Sequence, residues 1–201
     1  MSARQISTRD ATRLGCFALA TAIVLLLING VTKSTIQQKQ LQRLNRTLSE
    51  VLPDTLTDNA IQDSKVLFDN DAGHPYITVY RGYFKHQPAA VVIQTSATEG
   101  YSGNIDMLIG LTYDGVVTGV RVIRHSETPG LGDDIELKKS DWILSFDGKA
   151  IDTGITWKVK RDGGDFDQFT GATITPRAVV REVHSTIKWY LQHQQDIFSK
   201  Q

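Results

Sequence analysis

Residues 104–124 read NIDMLIGLTYDGVVTGVRVIR. Apolar and β-branched residues dominate Asn104–Thr112 and Val116–Arg124, and Tyr113-Asp114-Gly115 separates the two segments. An Asp-Gly pair between apolar runs is a strong β-hairpin signal, because glycine accepts the positive φ of a tight turn. A second pair of β-rich segments, Tyr76–Tyr83 and Ala89–Ser96, comes earlier, joined by a turn at residues 85–88. Consecutive hairpins predict a largely antiparallel sheet.

The residues that follow these hairpins predict loops and helices around the sheet. We expect a glycine-rich turn at 126–132, a short helical stretch around 133–146, a strand at 155–160 and an Asp/Gly loop at 162–168. Thr175-Pro176 is typical of a helix N-cap and first helical position. The apolar residues that follow recur on one helical face: Val179, Val180, Val183, Ile187, Tyr190 and Leu191. The sequence therefore predicts an α+β fold with helices packed on the sheet.

The amino-terminal part contains an uncharged apolar run from Leu14 to Val31. As a helix this run would be about 27 Å long, close to the hydrocarbon thickness of a bilayer. A cleavable signal peptide is the alternative, but its apolar region is usually about 7–15 residues long and ends in a small-residue cleavage motif that is absent here. We therefore expect a transmembrane helix at 14–31 after a short segment 1–13, then a linker helix at 32–53 and a domain at 54–201. Basic residues flank the run on both sides, so charge alone does not give its orientation.

Composition excludes several function classes. The 22 basic residues equal the 22 acidic ones, which argues against a general nucleic-acid binder. A single cysteine, Cys16, excludes a multi-cysteine zinc or iron–sulfur site built from this chain alone. Asp162, Asp165 and Asp167 lack the order of a calcium loop, and the five histidines are scattered, so we predict no metal site. The three tryptophans are predicted to pack in the core.

Asp165–Ala178 carries the clearest chemical pattern. Thr170, Thr173 and Thr175 surround the small pair Gly171-Ala172 immediately before the predicted helix. Small residues allow another molecule to approach a hydroxyl, and a helix N-terminus favours an anion. The pattern suits a phosphate, and it equally suits a threonine-rich capping loop that binds nothing.

Asp167-Gln168-Phe169-Thr170-Gly171-Ala172-Thr173 resembles the Asp-x-x-Ser/Thr-Gly-Ala-Thr flavinylation motif. That motif belongs to the G subunit of Rnf-type electron transport complexes and to the C subunit of sodium-pumping NADH:quinone reductases. The run Glu127-Thr-Pro-Gly-Leu-Gly132 and the sequence Phe169–Pro176 favour the Rnf G subunit. The resemblance covers most of the chain, including the predicted anchor and the terminal helix.

The resemblance implies an FMN joined through its phosphate to Thr173 by a phosphoester bond. Gly171, Ala172, Ile174 and Thr175 would adjoin the cofactor, and Asp167 and Thr170 would be recognised by the enzyme that attaches it. Glu127, Thr128 and Leu131 would form a second wall, in a loop where Pro129 and two glycines allow close approach to a flat ring. No catalytic residue is expected in the chain itself.

A free threonine hydroxyl is a poor nucleophile, so attachment requires an activated donor and outside help. In the family a magnesium-dependent flavin transferase supplies both, with FAD as donor. The resemblance implies an electron-transfer subunit of an ion-translocating complex, with other membrane and iron–sulfur subunits as partners and no independent turnover. It also implies a bacterial inner-membrane location, with residues 1–13 in the cytoplasm and residues 54–201 in the periplasm. Two alternatives stay open: the C subunit of a quinone reductase, and a cofactor-free anchored assembly or adaptor domain.

Overall fold

The computed structural model describes residues 8–68 and 77–199. The chain divides into two compact units, one ending at Leu44 and the other beginning at Asn45. Within these two described ranges there are two α-helices and five strands, in the order α1 (Thr8–Val51), β1 (Lys65–Phe68), β2 (Ile77–Phe84), β3 (Gln87–Ala97), β4 (Ile105–Thr112), β5 (Val117–Arg124) and α2 (Ile174–Ser199). Short 3-10 helices occupy Ile61–Asp63, Asp133–Ile135, Asp141–Phe146 and Lys160–Asp162.

The five strands form one antiparallel sheet in sequence order, β1-β2-β3-β4-β5. The predicted α+β class and antiparallel sheet are confirmed. Gly115 turns the β4–β5 hairpin with a φ of 81°, as the Asp-Gly pair predicts. The β2–β3 turn is shorter than expected: Lys85 and His86 both adopt positive φ, and Gln87 and Pro88 already pair with β2. Tyr76, the expected start of β2, lies outside the described residues.

Three local predictions are wrong or incomplete. Residues 155–160 form no strand, only an isolated bridge between Val159 and Phe166, because the chain reverses at Gly163-Gly164 before a ladder can extend. The helical stretch at 133–146 is two short 3-10 helices. Strand β1 was not predicted, since four residues at a sheet edge give too short an alternation to recognise.

The main hydrophobic core lies between one face of the sheet and helix α2. Inward-facing residues of β3, β4 and β5 meet the apolar face predicted for α2 and a group of aromatic side chains from residues 142–169. Trp142 and Trp157 are buried in this core, as predicted. Its aromatic members are Phe68, Trp142, Phe146, Trp157, Phe166, Phe169 and Tyr190.

The end of α1 packs against two glycines of the sheet. Gly110 and Gly119 are cross-strand partners in β4 and β5, and a methyl group at either position would collide with the backbone of Val51. The Thr118 hydroxyl donates to the Val51 carbonyl at 2.6 Å, and Leu48, Val51 and Leu52 are buried. The last turn of α1 is therefore part of the second unit.

Helix α1 is continuous from Thr8 to Val51, so the predicted separation into a helix at 14–31 and a linker helix at 32–53 does not appear as a break. Nothing in the sequence between these segments interrupts helical hydrogen bonding. The helix ends at Val51, two residues before the predicted end, because Pro53 lacks the backbone N–H that a helix needs. Among the helices of the described residues, none has the length and apolar character that a membrane span requires.

Candidate functional site

A cavity of about 370 Å³ lies where α2 begins. Eight residues that the sequence singles out line it together, from the two predicted walls: Glu127, Thr128, Leu131, Gly171, Ala172, Thr173, Ile174 and Thr175. Tyr101 and Gly132 complete the lining. The fold thus brings segments about 45 residues apart in sequence to one cavity.

Glu127 connects three parts of the cavity wall. Its side chain is only 4% exposed. One carboxylate oxygen accepts from the Ser102 amide at 2.9 Å, and the other accepts from the Thr175 hydroxyl. A buried carboxylate is costly unless donors surround it. These two bonds therefore stabilise the carboxylate and join the 100–103 loop, the 127–132 loop and α2.

Gly132 has no side chain, and this absence allows Glu127 and Thr175 to approach each other. A methyl group built on Gly132 would lie 2.9 Å from Thr175 Oγ1 and 3.0 Å from Glu127 Cβ.

Asp133 closes the 127–132 loop, because its carboxylate accepts from the Gly130 amide at 2.6 Å. Burial raises the pKa of Asp133, but the Gly130 bond and the nearby charge of Lys139 outweigh it and hold the pKa below its ordinary value. Asp133 is thus ionised and holds the glycine-rich loop closed.

Thr173 lies immediately before the first residue of α2, Ile174. The Thr173 carbonyl accepts from the Arg177 amide at 3.3 Å, which begins the helical bonding. Thr173 is half-buried and lines the cavity, and its hydroxyl accepts from Arg161 Nη1 at 3.3 Å. Gly171, two residues earlier, has a φ of 81° that turns the chain into this position.

The prediction that Thr175 caps α2 is wrong. Thr175 lies within the first helical turn, and its buried hydroxyl donates to Glu127. The helix begins two residues earlier than Thr175-Pro176 indicates, because Ile174 and Thr175 adopt helical geometry ahead of Pro176. Proline is accepted in a first turn, since its missing N–H has no intrahelical acceptor there.

Asp167 and Thr170 lie outside the cavity lining. Both are exposed, and the Asp167 carboxylate pairs with Lys160 Nζ at 2.6 Å. The Asp167 carbonyl accepts from Trp142 Nε1 at 2.8 Å, which attaches the motif to the core. Their side chains are accessible to a second protein, and their recognition by one stays a prediction.

Comparison with known proteins shows to which family the chain belongs. A family model described as FMN-binding domain matches residues 100–188, and one described as RnfG N-terminal region matches residues 1–51. A protein of Shewanella amazonensis, named as the G subunit of the ion-translocating oxidoreductase complex, is 44% identical over 198 residues, covering 96% of this chain and 92% of the relative. The protein of the same name from Pseudomonas aeruginosa is 45% identical over 198 residues, covering 93% of this chain and 90% of the relative. The protein of that name from Erwinia tasmaniensis is 45% identical over 183 residues, covering 89% of this chain and 87% of the relative.

The chain belongs to the family of Rnf G subunits. The resemblance read from the sequence is thereby confirmed. All ten cavity-lining residues fall within the part that matches the FMN-binding domain.

Three residues at this site were not predicted as site residues from the sequence: Tyr101, Gly132 and Arg161. Gly132 belongs to the predicted 127–132 loop and lines the cavity. Tyr101 is 69% exposed at the cavity and lies in a Gly-Tyr-Ser-Gly segment that carries no chemical pattern of its own. Arg161 reaches Thr173 from twelve residues away, because the turn at Gly163-Gly164 folds its loop back onto the motif. No local pattern predicts that return.

Proposed function

We propose that the chain is an electron-transfer subunit of an ion-translocating oxidoreductase complex and carries FMN joined by a phosphoester to Thr173. The observation that carries this proposal is the single cavity where the Thr173 hydroxyl meets both predicted walls. Its volume falls within the range of about 300–1,000 Å³ typical of ligand sites. Membership of the Rnf G-subunit family and the match to an FMN-binding domain support it.

The residues present suit a flavin mononucleotide. Thr173 offers the attachment point, and Gly171-Ala172 leaves the approach to it open. Leu131 and Ile174 are each 45% exposed at the cavity and, with Tyr101, offer apolar contact to a flat ring. Thr128 and backbone groups of the 127–132 loop provide polar contacts. Once attached, FMN supplies the redox chemistry, while this chain fixes its place and limits its solvent access.

Attachment requires a partner enzyme. In the proposed reaction Thr173 Oγ1 forms a bond to the phosphorus of the FMN half of FAD. The phosphorus–oxygen bond to AMP breaks, AMP leaves with the bonding electron pair, and the hydroxyl proton passes to a base of the flavin transferase. Magnesium bound by that enzyme balances the charge of the phosphates. Exposed Asp167 and Thr170 are proposed as its recognition residues.

We further propose that residues 14–31 anchor the chain in the bacterial inner membrane, with residues 1–13 cytoplasmic and residues 54–201 periplasmic. This rests on the uncharged sequence run and on seven large apolar side chains that are exposed there: Leu14, Phe17, Leu19, Ile23, Val24, Leu25 and Leu26. Such a contiguous apolar surface needs an apolar partner. Residues 32–53 would connect the anchor to the flavin domain, and membrane and iron–sulfur subunits would be its redox partners.

Flavin attachment to Thr173 can be tested directly. The full chain is produced with and without a flavin transferase and examined on a denaturing gel for flavin fluorescence, and its intact mass is measured. We expect a fluorescent band and the mass of one FMN added, both dependent on the transferase. Thr173→Ala should lose both signals completely, because no other oxygen occupies that position.

Two variants serve as controls. Thr173→Ser keeps a hydroxyl and should retain attachment, and Thr156→Ala removes an exposed threonine outside the cavity and should have no effect. An unlabelled native chain in the presence of an active transferase would favour the cofactor-free adaptor. Co-purification with sodium-pump subunits would favour the quinone-reductase alternative.

A further inference from the structure

Arg161 is held beside Thr173 by two contacts. Its guanidinium Nη1 donates to Thr173 Oγ1 at 3.3 Å. Its backbone amide donates to Gln168 Oε1 at 3.1 Å. Arg161 therefore contacts the Asp167–Thr173 motif near its start, at Gln168, as well as at its last residue, Thr173. The direction of the first bond matters: Thr173 Oγ1 is the acceptor, so its own hydrogen points away from Arg161.

The neighbouring basic residues are engaged elsewhere. Lys160 pairs with Asp167 at 2.6 Å, and Arg177 makes two bonds to Asp162 at 2.6 and 2.9 Å. Within the described part of the chain Arg161 forms no ion pair with a carboxylate. Its guanidinium donates to the Thr173 hydroxyl, and its charge adds to the Arg177 hydrogen bond in lowering the pKa of Asp162. The guanidinium can therefore bind an anion that forms at the Thr173 oxygen.

Attachment of FMN would place a negatively charged phosphate at the Thr173 oxygen. A neutral hydroxyl becomes a phosphodiester with one negative charge, and charge builds on the phosphoryl oxygens during transfer. Arginine presents a planar set of donors that matches phosphoryl oxygens and is always protonated. A guanidinium already bonded to the attacking oxygen would meet those oxygens without a large movement of the chain.

We propose that Arg161 is a positioning residue for flavinylation: it orients the Thr173 hydroxyl toward the incoming phosphorus and then pairs with the phosphate of the attached FMN. This inference rests on the proposed attachment at Thr173. Arg161 acts on the oxygen and on the phosphoryl group, while proton removal belongs to the transferase. The covalent change is the one given above, with FAD and Thr173 consumed and AMP and one proton released.

The test measures initial rates of flavin attachment to the purified full chain, with transferase, FAD and magnesium, by in-gel fluorescence and intact mass. Arg161→Gln should lower kcat of attachment on the order of tenfold, because a charged hydrogen bond to the reacting group is lost. Arg161→Lys, which keeps the charge without the planar donors, should recover part of the rate. Arg161→Glu should be slower than Arg161→Gln.

Arg181→Gln is the matched control, since Arg181 is an exposed arginine on α2 whose partner is Glu99, and its rate should be unchanged. The effect should fall on kcat, with KM for the chain changed less than about twofold. An unchanged kcat with raised KM would mean that Arg161 only helps the transferase to dock, and it would overturn the proposal. So would native kinetics in Arg161→Gln.

The same experiment distinguishes a wrong role for Arg161 from a wrong assignment of flavin attachment. If native chain and Arg161→Gln both stay unlabelled under conditions where another substrate of the transferase is labelled, the attachment itself is wrong. If the native chain is labelled at Thr173 and Arg161→Gln is labelled equally fast, only the role of Arg161 is wrong. Circular dichroism melting of Arg161→Gln should match that of the native chain, since the side chain is exposed.

Discussion

Glu127 is a buried carboxylate whose two oxygens bond to groups on two other segments, the Ser102 amide and the Thr175 hydroxyl. We expect Glu127→Ala to lower the free energy of unfolding by about 1–3 kcal/mol, because the buried Thr175 hydroxyl loses its acceptor. Glu127→Gln should cost less, since its carbonyl still accepts from Ser102 and its amide can donate to Thr175. Urea denaturation of the three proteins measures this difference. Equal losses for Ala and Gln would contradict the bonding described here.

Gly171 determines the direction in which the chain enters the Thr173 position. Its φ of 81° lies in the left-handed region, where a Cβ is unfavourable. Gly171→Ala should therefore destabilise the chain by about 1–2 kcal/mol and also slow flavin attachment, because Thr173 is displaced. Gly171→Asn is the control, because asparagine accepts this conformation more readily, and its losses should be smaller. Denaturation and in-gel fluorescence measure the two effects.

At the scale of elements, the contact between α1 and the sheet depends on two glycines. A methyl group on Gly119 would lie 2.9 Å from Val51 Cα and 3.1 Å from the Val51 carbonyl oxygen. Gly119→Ala should therefore cost about 1–3 kcal/mol of unfolding free energy, since backbone cannot move aside as a flexible side chain can. Gly15→Ala is the matched control, because nothing lies within 4 Å of its added Cβ. A Gly119→Ala protein as stable as Gly15→Ala would refute this packing.

Local signals predicted the elements whose geometry is local. The Asp114-Gly115 turn and the alternation around it gave the β4–β5 hairpin, and the apolar face starting at Val179 gave α2. The start of α2 was misplaced because Thr175 resembles a cap in sequence, while a partner 48 residues away uses its hydroxyl. Residues 155–160 resemble a strand because Trp157 and Val159 are both core residues, yet no neighbouring strand pairs with them. The first error arises from a long-range contact and the second from the lack of a pairing strand among the described residues, and a local pattern contains neither.

The candidate site likewise contains residues that local sequence patterns predicted and residues that only the three-dimensional structure shows. Eight of its lining residues came from a motif and a glycine-rich loop, and the fold brings them together. Tyr101 and Arg161 required the three-dimensional arrangement, since neither lies in those two segments.

For the molecule as a whole, stability should depend on pH through His184. Its ring stacks on Trp157 with centroids 5.4 Å apart. Burial, and then the charge of Lys188, lowers the pKa of His184 below its usual value near 6.5. Between that lowered pKa and about 6.5 the unfolded chain binds more protons than the folded one, so unfolding free energy rises with pH across this window. Denaturation at a series of pH values should show a smaller rise in His184→Phe, and an unchanged rise would exclude this histidine as a source.

The proposed anchor gives a second prediction for the whole molecule. Replacing Leu19 and Leu26 with lysine puts two charges into the apolar run, at a cost of about 2.5–3.5 kcal/mol each near the centre of a membrane helix. We expect this double variant to move from the membrane pellet to the soluble fraction after cell lysis. Leu144→Lys, at an exposed leucine of the second unit, should stay in the pellet. A double variant that remains fully in the pellet after alkaline extraction would contradict the anchor.

The packing of Val51 on Gly110 and Gly119 also determines where the chain can be cut for production. A fragment starting at residue 54 would discard Leu48, Val51 and Leu52, and would leave the Thr118 hydroxyl and one face of the β4–β5 hairpin uncovered. Such a fragment should aggregate or melt early even though it contains every residue of the cavity. An expression boundary ahead of Asn45 retains the closing turn of α1 and omits the apolar run, so it is the boundary to choose for crystallisation or spectroscopy.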